Sequence, residues 1–129
     1  MKKEIVVLDA DKEHCLELCA MLADWNYKAT PLHSIQNLEI HIQESTCQAV
    51  IVDLDTVSID NRITRELTKK NPMVHFFCMS KERFHPEIKE AISDHFFACL
   101  AKPIDPDELA YWLRSICEDE TENKNHPSK

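Results

Sequence analysis

The feature that most limits how this chain can fold is an alternation: a short apolar run, a segment of helical period, then another apolar run. The runs are IVVL at 5–8, YKATPL at 27–32, AVIV at 49–52, MVHFFCM at 73–79 and FFACL at 96–100. Short runs of this kind suit strands of a parallel sheet covered on both faces, with the intervening helices as crossovers. Five strands are expected. IVVL and AVIV are the most uniformly apolar and belong at the centre, whereas YKATPL contains Pro31 and suits an edge.

The helical segments carry their own signals. Cys15, Leu18, Cys19, Leu22 and Trp25 recur at helical spacing, with Asp11 placed to cap the first turn. Ser34 starts a second helix to about Glu44, with Ile35, Leu38 and Ile42 on its apolar side, and a third runs from about Asn61 to Lys70 before Asn71-Pro72. Pro86 begins a fourth, to about Asp94. The fifth has Asp105 as N-cap, Pro106 in the first turn, and Leu109, Trp112, Leu113 and Ile116 on one face. Beyond Cys117 the chain reads EDETENKNHPSK, which offers nothing to bury, so residues 1–118 are expected to form one domain and 119–129 a disordered tail or linker.

Composition removes several functions. With 129 residues, 43% of them hydrophobic, there is material for one domain with a real core. A net charge of −8 repels a phosphate backbone, so direct nucleic-acid binding by this domain is not expected. The chain has no glycine, which excludes the Gly-rich phosphate loops of nucleotide-binding folds. No apolar run approaches the ~20 residues of a membrane span, and MKKEIVV lacks the features of a signal peptide; a cytoplasmic protein without membrane contact is expected. The six cysteines lie inside apolar segments without a CxxC pair and read as small core residues; His14 beside Cys15 and Cys19 could suggest a metal clip, but both cysteines continue the apolar stripe.

In an open doubly wound sheet, ligands collect beyond the carboxyl ends of the strands. The residues just past the apolar runs are Asp9, Asp53, Ser80 and Lys102. Together VIVDLD, CMSKE, LAKPID and LDAD resemble the receiver domain of two-component response regulators over residues 3–117. That resemblance implies a flavodoxin-like fold with strand order 2-1-3-4-5 and five helices. It implies Asp53 as phospho-acceptor, Ser80 and Lys102 as the groups that read the phosphoryl oxygens, and a cis Lys102-Pro103 bond. Such a site also implies weakly bound Mg²⁺ held by Asp9, Asp53 and the backbone at Asp55, because an anionic nucleophile must approach an anionic phosphoryl group. DTVSIDN resembles the loop after the acceptor, with Asn61 in a slot usually held by glycine, where a left-handed backbone is tolerated.

The departures from the family pattern are specific. Ala10 stands where the second acid of the pair would ligate the metal; Asp11 is better read as a cap, and the Asp55 carboxylate could partly compensate. Cys99 replaces the aromatic switch residue, Val57 a proline and His95 a glycine. The implied partners are a sensor histidine kinase or phosphotransfer protein, with an output domain or a second copy met through the face built by the fourth helix, fifth strand and fifth helix, where Arg83, Glu90, Tyr111 and Arg114 fall. No ordinary enzymatic activity is expected beyond the domain's own phosphorylation and slow self-hydrolysis. The competing expectation is a pseudo-receiver, an interaction module that works without phosphorylation; a metal-dependent phosphatase of the same fold class is poorly supported, since no second catalytic acid follows Asp53.

Overall fold

Five strands, β1 (Glu4–Leu8), β2 (Lys28–Leu32), β3 (Ala49–Asp53), β4 (His75–Ser80) and β5 (Ala98–Ala101), form one sheet in the order β2-β1-β3-β4-β5. Every pairing is parallel. The computed structural model describes residues 3–45, 47–81, 96 and 98–125, with side chains as far as Ile116. Its helices are α1 (Lys12–Asp24), α2 (Ile35–Glu44), α3 (Asn61–Lys70) and α4 (Pro106–Asn125). The helix expected from Pro86 to about Asp94 lies outside the described residues, as do Arg83, Glu90 and His95.

The period-two geometry of the strands divides the core in two. Val6 and Leu8 of β1 point to a cluster closed by Leu38 of α2 and Leu67 of α3. Ile5 and Val7 point the other way, to Cys15, Leu18 and Leu22 of α1 and Leu109, Leu113 and Ile116 of α4. Both faces are therefore covered, which is why β1 and β3 read as uniform apolar runs. The edge strand β2, with Pro31, is partly exposed as expected. Burial pushes the Cys15 thiol up to about 12 and the Cys47 thiol up to about 11, so both act as packing residues.

Helix ends follow the sequence signals. Asp11, Ser34 and Asp60 each accept a hydrogen bond from a backbone N–H of the first turn. Asn61 is not left-handed; Asp60 caps α3 and Asn61 is its first residue. Asn26 takes that role instead, with φ of 72°, just after α1. The Tyr27 N–H bonds the Leu22 carbonyl and the Asn26 N–H that of Ala23, so asparagine closes the helix where most chains would use glycine. The backbone of α4 runs from Pro106 to Asn125.

One charged residue is buried away from the strand ends that concern function. Glu4, 6% exposed at the start of β1, accepts from Thr30 Oγ1 at 2.7 Å and lies 2.8 Å from His41 Nε2. Burial raises its pKa, but Thr30 and His41 outweigh it and hold the carboxyl below its ordinary value of 4.5. A depressed folded-state pKa stabilises the fold above the unfolded value and loses that contribution as pH falls through the folded one. Acidification below about pH 4.5 should therefore lower the melting temperature less in Glu4→Gln than in the native protein; equal slopes in a pH series of thermal melts would refute this.

Candidate functional site

Register brings the strand ends to one edge. Leu8 pairs with Val52, Asp53 with Met79 and Ser80 with Ala101, so Asp9, Asp53, Ser80 and Lys102 emerge together. The Lys102 N–H bonds the Ser80 carbonyl at 3.1 Å, and the Lys102-Pro103 peptide is cis. All four residues singled out in the sequence thus meet at one place.

Asp53 is fully buried, and Lys102 Nζ donates to both of its carboxylate oxygens at 3.0 Å. The same ammonium lies 3.2 Å from Asp55 Oδ2. Burial lowers the lysine's pKa, but Asp53 and Asp55 more than restore it, and the net shift is upward, so Lys102 is charged at neutral pH. The Asp55 carboxylate also accepts from Ser80 Oγ at 3.0 Å and from the Lys81 N–H at 2.9 Å. Burial raises its pKa and these three donors lower it below the usual carboxylate range.

The opposite side of Asp53 is acidic. Asp9, also fully buried, accepts from the Asp11 N–H at 2.9 Å and meets His14 Nδ1 through its other oxygen. Thr56 Oγ1 lies 3.0 Å from Asp9 Oδ1 and 3.2 Å from Asp53 Oδ2, so its single proton serves one carboxylate at a time. It also accepts the Ala10 N–H at 3.0 Å. Burial raises the Asp9 pKa, yet the His14, Asp11 and Thr56 contacts bring it below normal. One ligand atom from each of Asp9, His14 and Asp53 lies within 4.8 Å of the others, which makes this a possible metal-binding group among the described residues. Two buried carboxylates and an imidazole facing one another fit a divalent cation, whose charge would offset their burial.

His14 and Thr56 are the residues that sequence reasoning missed. Cys15 and Cys19, the neighbours of His14, are core, whereas His14 is the first-turn residue whose N–H the Asp11 cap accepts, at 3.2 Å. The available signal was position, since a helix that starts four residues past a strand end carries its first turn over that end. Ala10 supplies only backbone. The Asp55 carboxylate, expected near the metal, is held by Ser80, Lys81 and Lys102. Cys99 packs half-buried against the β3–β4 core, in register with Cys78.

No protein-family model matches the chain. Among curated proteins, the transcriptional regulatory protein ZraR of Klebsiella oxytoca is 30% identical over 112 residues, covering 85% of this chain and 25% of that protein. ZraR of Salmonella typhimurium is 28% identical over 109 residues, covering 84% and 25%. The chain spans about a quarter of the length of the curated relatives it matches. Among solved structures, the signal receiver domain of an HD domain-containing protein from Pseudomonas fluorescens superposes with a TM-score of 0.82 at 18% identity, covering 94% of this chain and 98% of that one. A CheY-like receiver domain from Methanospirillum hungatei gives 0.81 at 14% identity, covering 95% and 99%.

Proposed function

We propose that this chain, a response-regulator receiver domain in fold and in sequence, accepts a phosphoryl group on Asp53 and uses it to switch protein contacts. The observation that carries this reading is Lys102 Nζ placed 3.0 Å from both oxygens of a fully buried acceptor, which also belongs to a group of side chains that could hold a cation. An Asp53 oxygen attacks phosphorus as the bond to a donor phosphohistidine nitrogen breaks. Because Lys102 engages both Asp53 oxygens, the incoming group displaces one contact, and the ammonium passes to a phosphoryl oxygen without leaving the site. Ser80 accompanies it as a hydroxyl donor.

A divalent cation, Mg²⁺ by resemblance, would be held by Asp9, Asp53 and His14 and would neutralise charge between acceptor and phosphoryl group. An imidazole in place of the acid lost at Ala10 favours borderline ions such as Zn²⁺ over Mg²⁺. His14→Ala should weaken Zn²⁺ binding about tenfold and Mg²⁺ binding less, read by calorimetric titration. Equal loss for both ions, or none, removes His14 from the metal set.

The donor would be a sensor histidine kinase or a phosphotransfer protein. ZraR is described as a transcriptional regulatory protein four times as long as the matching region, which supports an output region or partner as the target of the switch. Among the described residues no helix is long and apolar enough to cross a membrane, which fits a cytoplasmic reading. A phosphorylation-independent interaction module is the second reading, favoured by Ala10 and by Cys99 at the aromatic switch position. Incubation with acetyl phosphate and Mg²⁺ or Mn²⁺ separates the two. A gain of one phosphoryl mass, absent from Asp53→Asn, supports the acceptor; no gain with either ion in the folded protein supports the module.

A further inference from the structure

We propose that the Asp55 carboxylate is a built-in occupant of the phosphoryl-oxygen site, which a phosphoryl group on Asp53 must displace. The inference deepens the acceptor reading and rests on it for the identity of the displacing group. Three donors from the ends of β4 and β5 converge on this one side chain: Ser80 Oγ at 3.0 Å on Oδ1, the Lys81 N–H at 2.9 Å and Lys102 Nζ at 3.2 Å on Oδ2. A hydroxyl, a backbone amide and an ammonium aimed at a single point form an oxyanion site, and an acid on an exposed loop would need none of them. Asp55 is an exposed residue as a whole, but its side chain is only 21% exposed, and its own N–H donates to Asp53 Oδ1 at 3.1 Å, which anchors the loop so that the carboxylate reaches these donors.

A phosphoryl group on Asp53 carries negative oxygens into the same neighbourhood. Ser80 has one proton and the Lys81 N–H one hydrogen, so they cannot serve both anions well, and like charge repels Asp55 from the new group. The carboxylate therefore leaves its donors on phosphorylation, and the loop at 55–57 moves with it. Asp55 sets how readily the site takes an anion, and its release supplies a motion that does not depend on an aromatic residue at Cys99.

Sulfate titrations of native protein, Asp55→Ala and Asp55→Asn, followed at the Lys81 amide by NMR, test the occupied site without phosphoryl chemistry. Asp55→Ala should bind sulfate about tenfold more tightly than the native protein, with Asp55→Asn between them, because a charge-assisted competitor has been removed. Identical affinities in native protein and Asp55→Ala, or an unmoved Lys81 amide, overturn the inference, and so does an Asp55→Asn variant that matches the native protein. In parallel, acetyl phosphate should label Asp55→Ala about tenfold faster. Labelling that is equal or slower, in a variant with a native circular dichroism spectrum, also overturns it. If no variant is labelled, the acceptor reading fails alone and the sulfate titration still decides the role of Asp55.

Discussion

Lys102→Ala is expected to lose about 3–5 kcal/mol of folding stability, as is typical when one partner of a buried ion pair is removed. Asp53 has no exposure, and Lys102 occupies both of its oxygens while also reaching Asp55. Without the ammonium, Asp53 and Asp9 face one another with only the Thr56 hydroxyl shared between them. Urea unfolding of Lys102→Ala and Lys102→Met separates charge from packing, since methionine keeps an apolar stem of similar reach. A similar loss in both assigns the effect to charge, whereas recovery in Lys102→Met assigns it to packing. Adding Asp53→Asn to Lys102→Met should restore much of the loss, because the stranded carboxylate is then gone. Failure of that rescue would mean the pair is not what stabilises this edge.

Phe77→Ala is expected to cost about 3–5 kcal/mol, the usual range for emptying a buried aromatic site. Phe77 has no exposure, lies mid-way along β4 between Ile51 and Ala98, and packs in the cluster formed with α1 and α4. Neighbours from two strands and two helices cannot all close on the cavity. Met73→Ala, at a residue 79% exposed just before the same strand, should change stability by no more than about 0.5 kcal/mol. Chemical denaturation of the two variants checks the contrast, and a Phe77→Ala loss below about 1 kcal/mol would contradict the described packing.

Much of the fold was legible because the sheet is parallel and covered. Residues 5–8 and 49–52 are uniformly apolar for a reason that involves both faces, so their central position could be read directly. Helix starts were legible at Asp11 and Ser34, where side-chain oxygens meet otherwise unpaired N–H groups. The loop around Asn61 resembles one with a glycine-like slot there, whereas the Asp60 cap and the helix that follows decide its backbone.

By itself the sequence determined which groups stand at the strand ends, because apolar runs of this length can stop only where the sheet stops and the polar residue after each run must face the same edge. It thereby brought Asp9, Asp53, Ser80 and Lys102 to one site. Only the tertiary structure decided what surrounds Asp53: His14 and Thr56 beside it on the Asp9 side, and Asp55 held by Ser80, Lys81 and Lys102. Those contacts depend on loop paths and first-turn positions that join residues far apart in the chain. No periodicity encodes them, and they determine whether the position lost at Ala10 leaves this site without a third ligand.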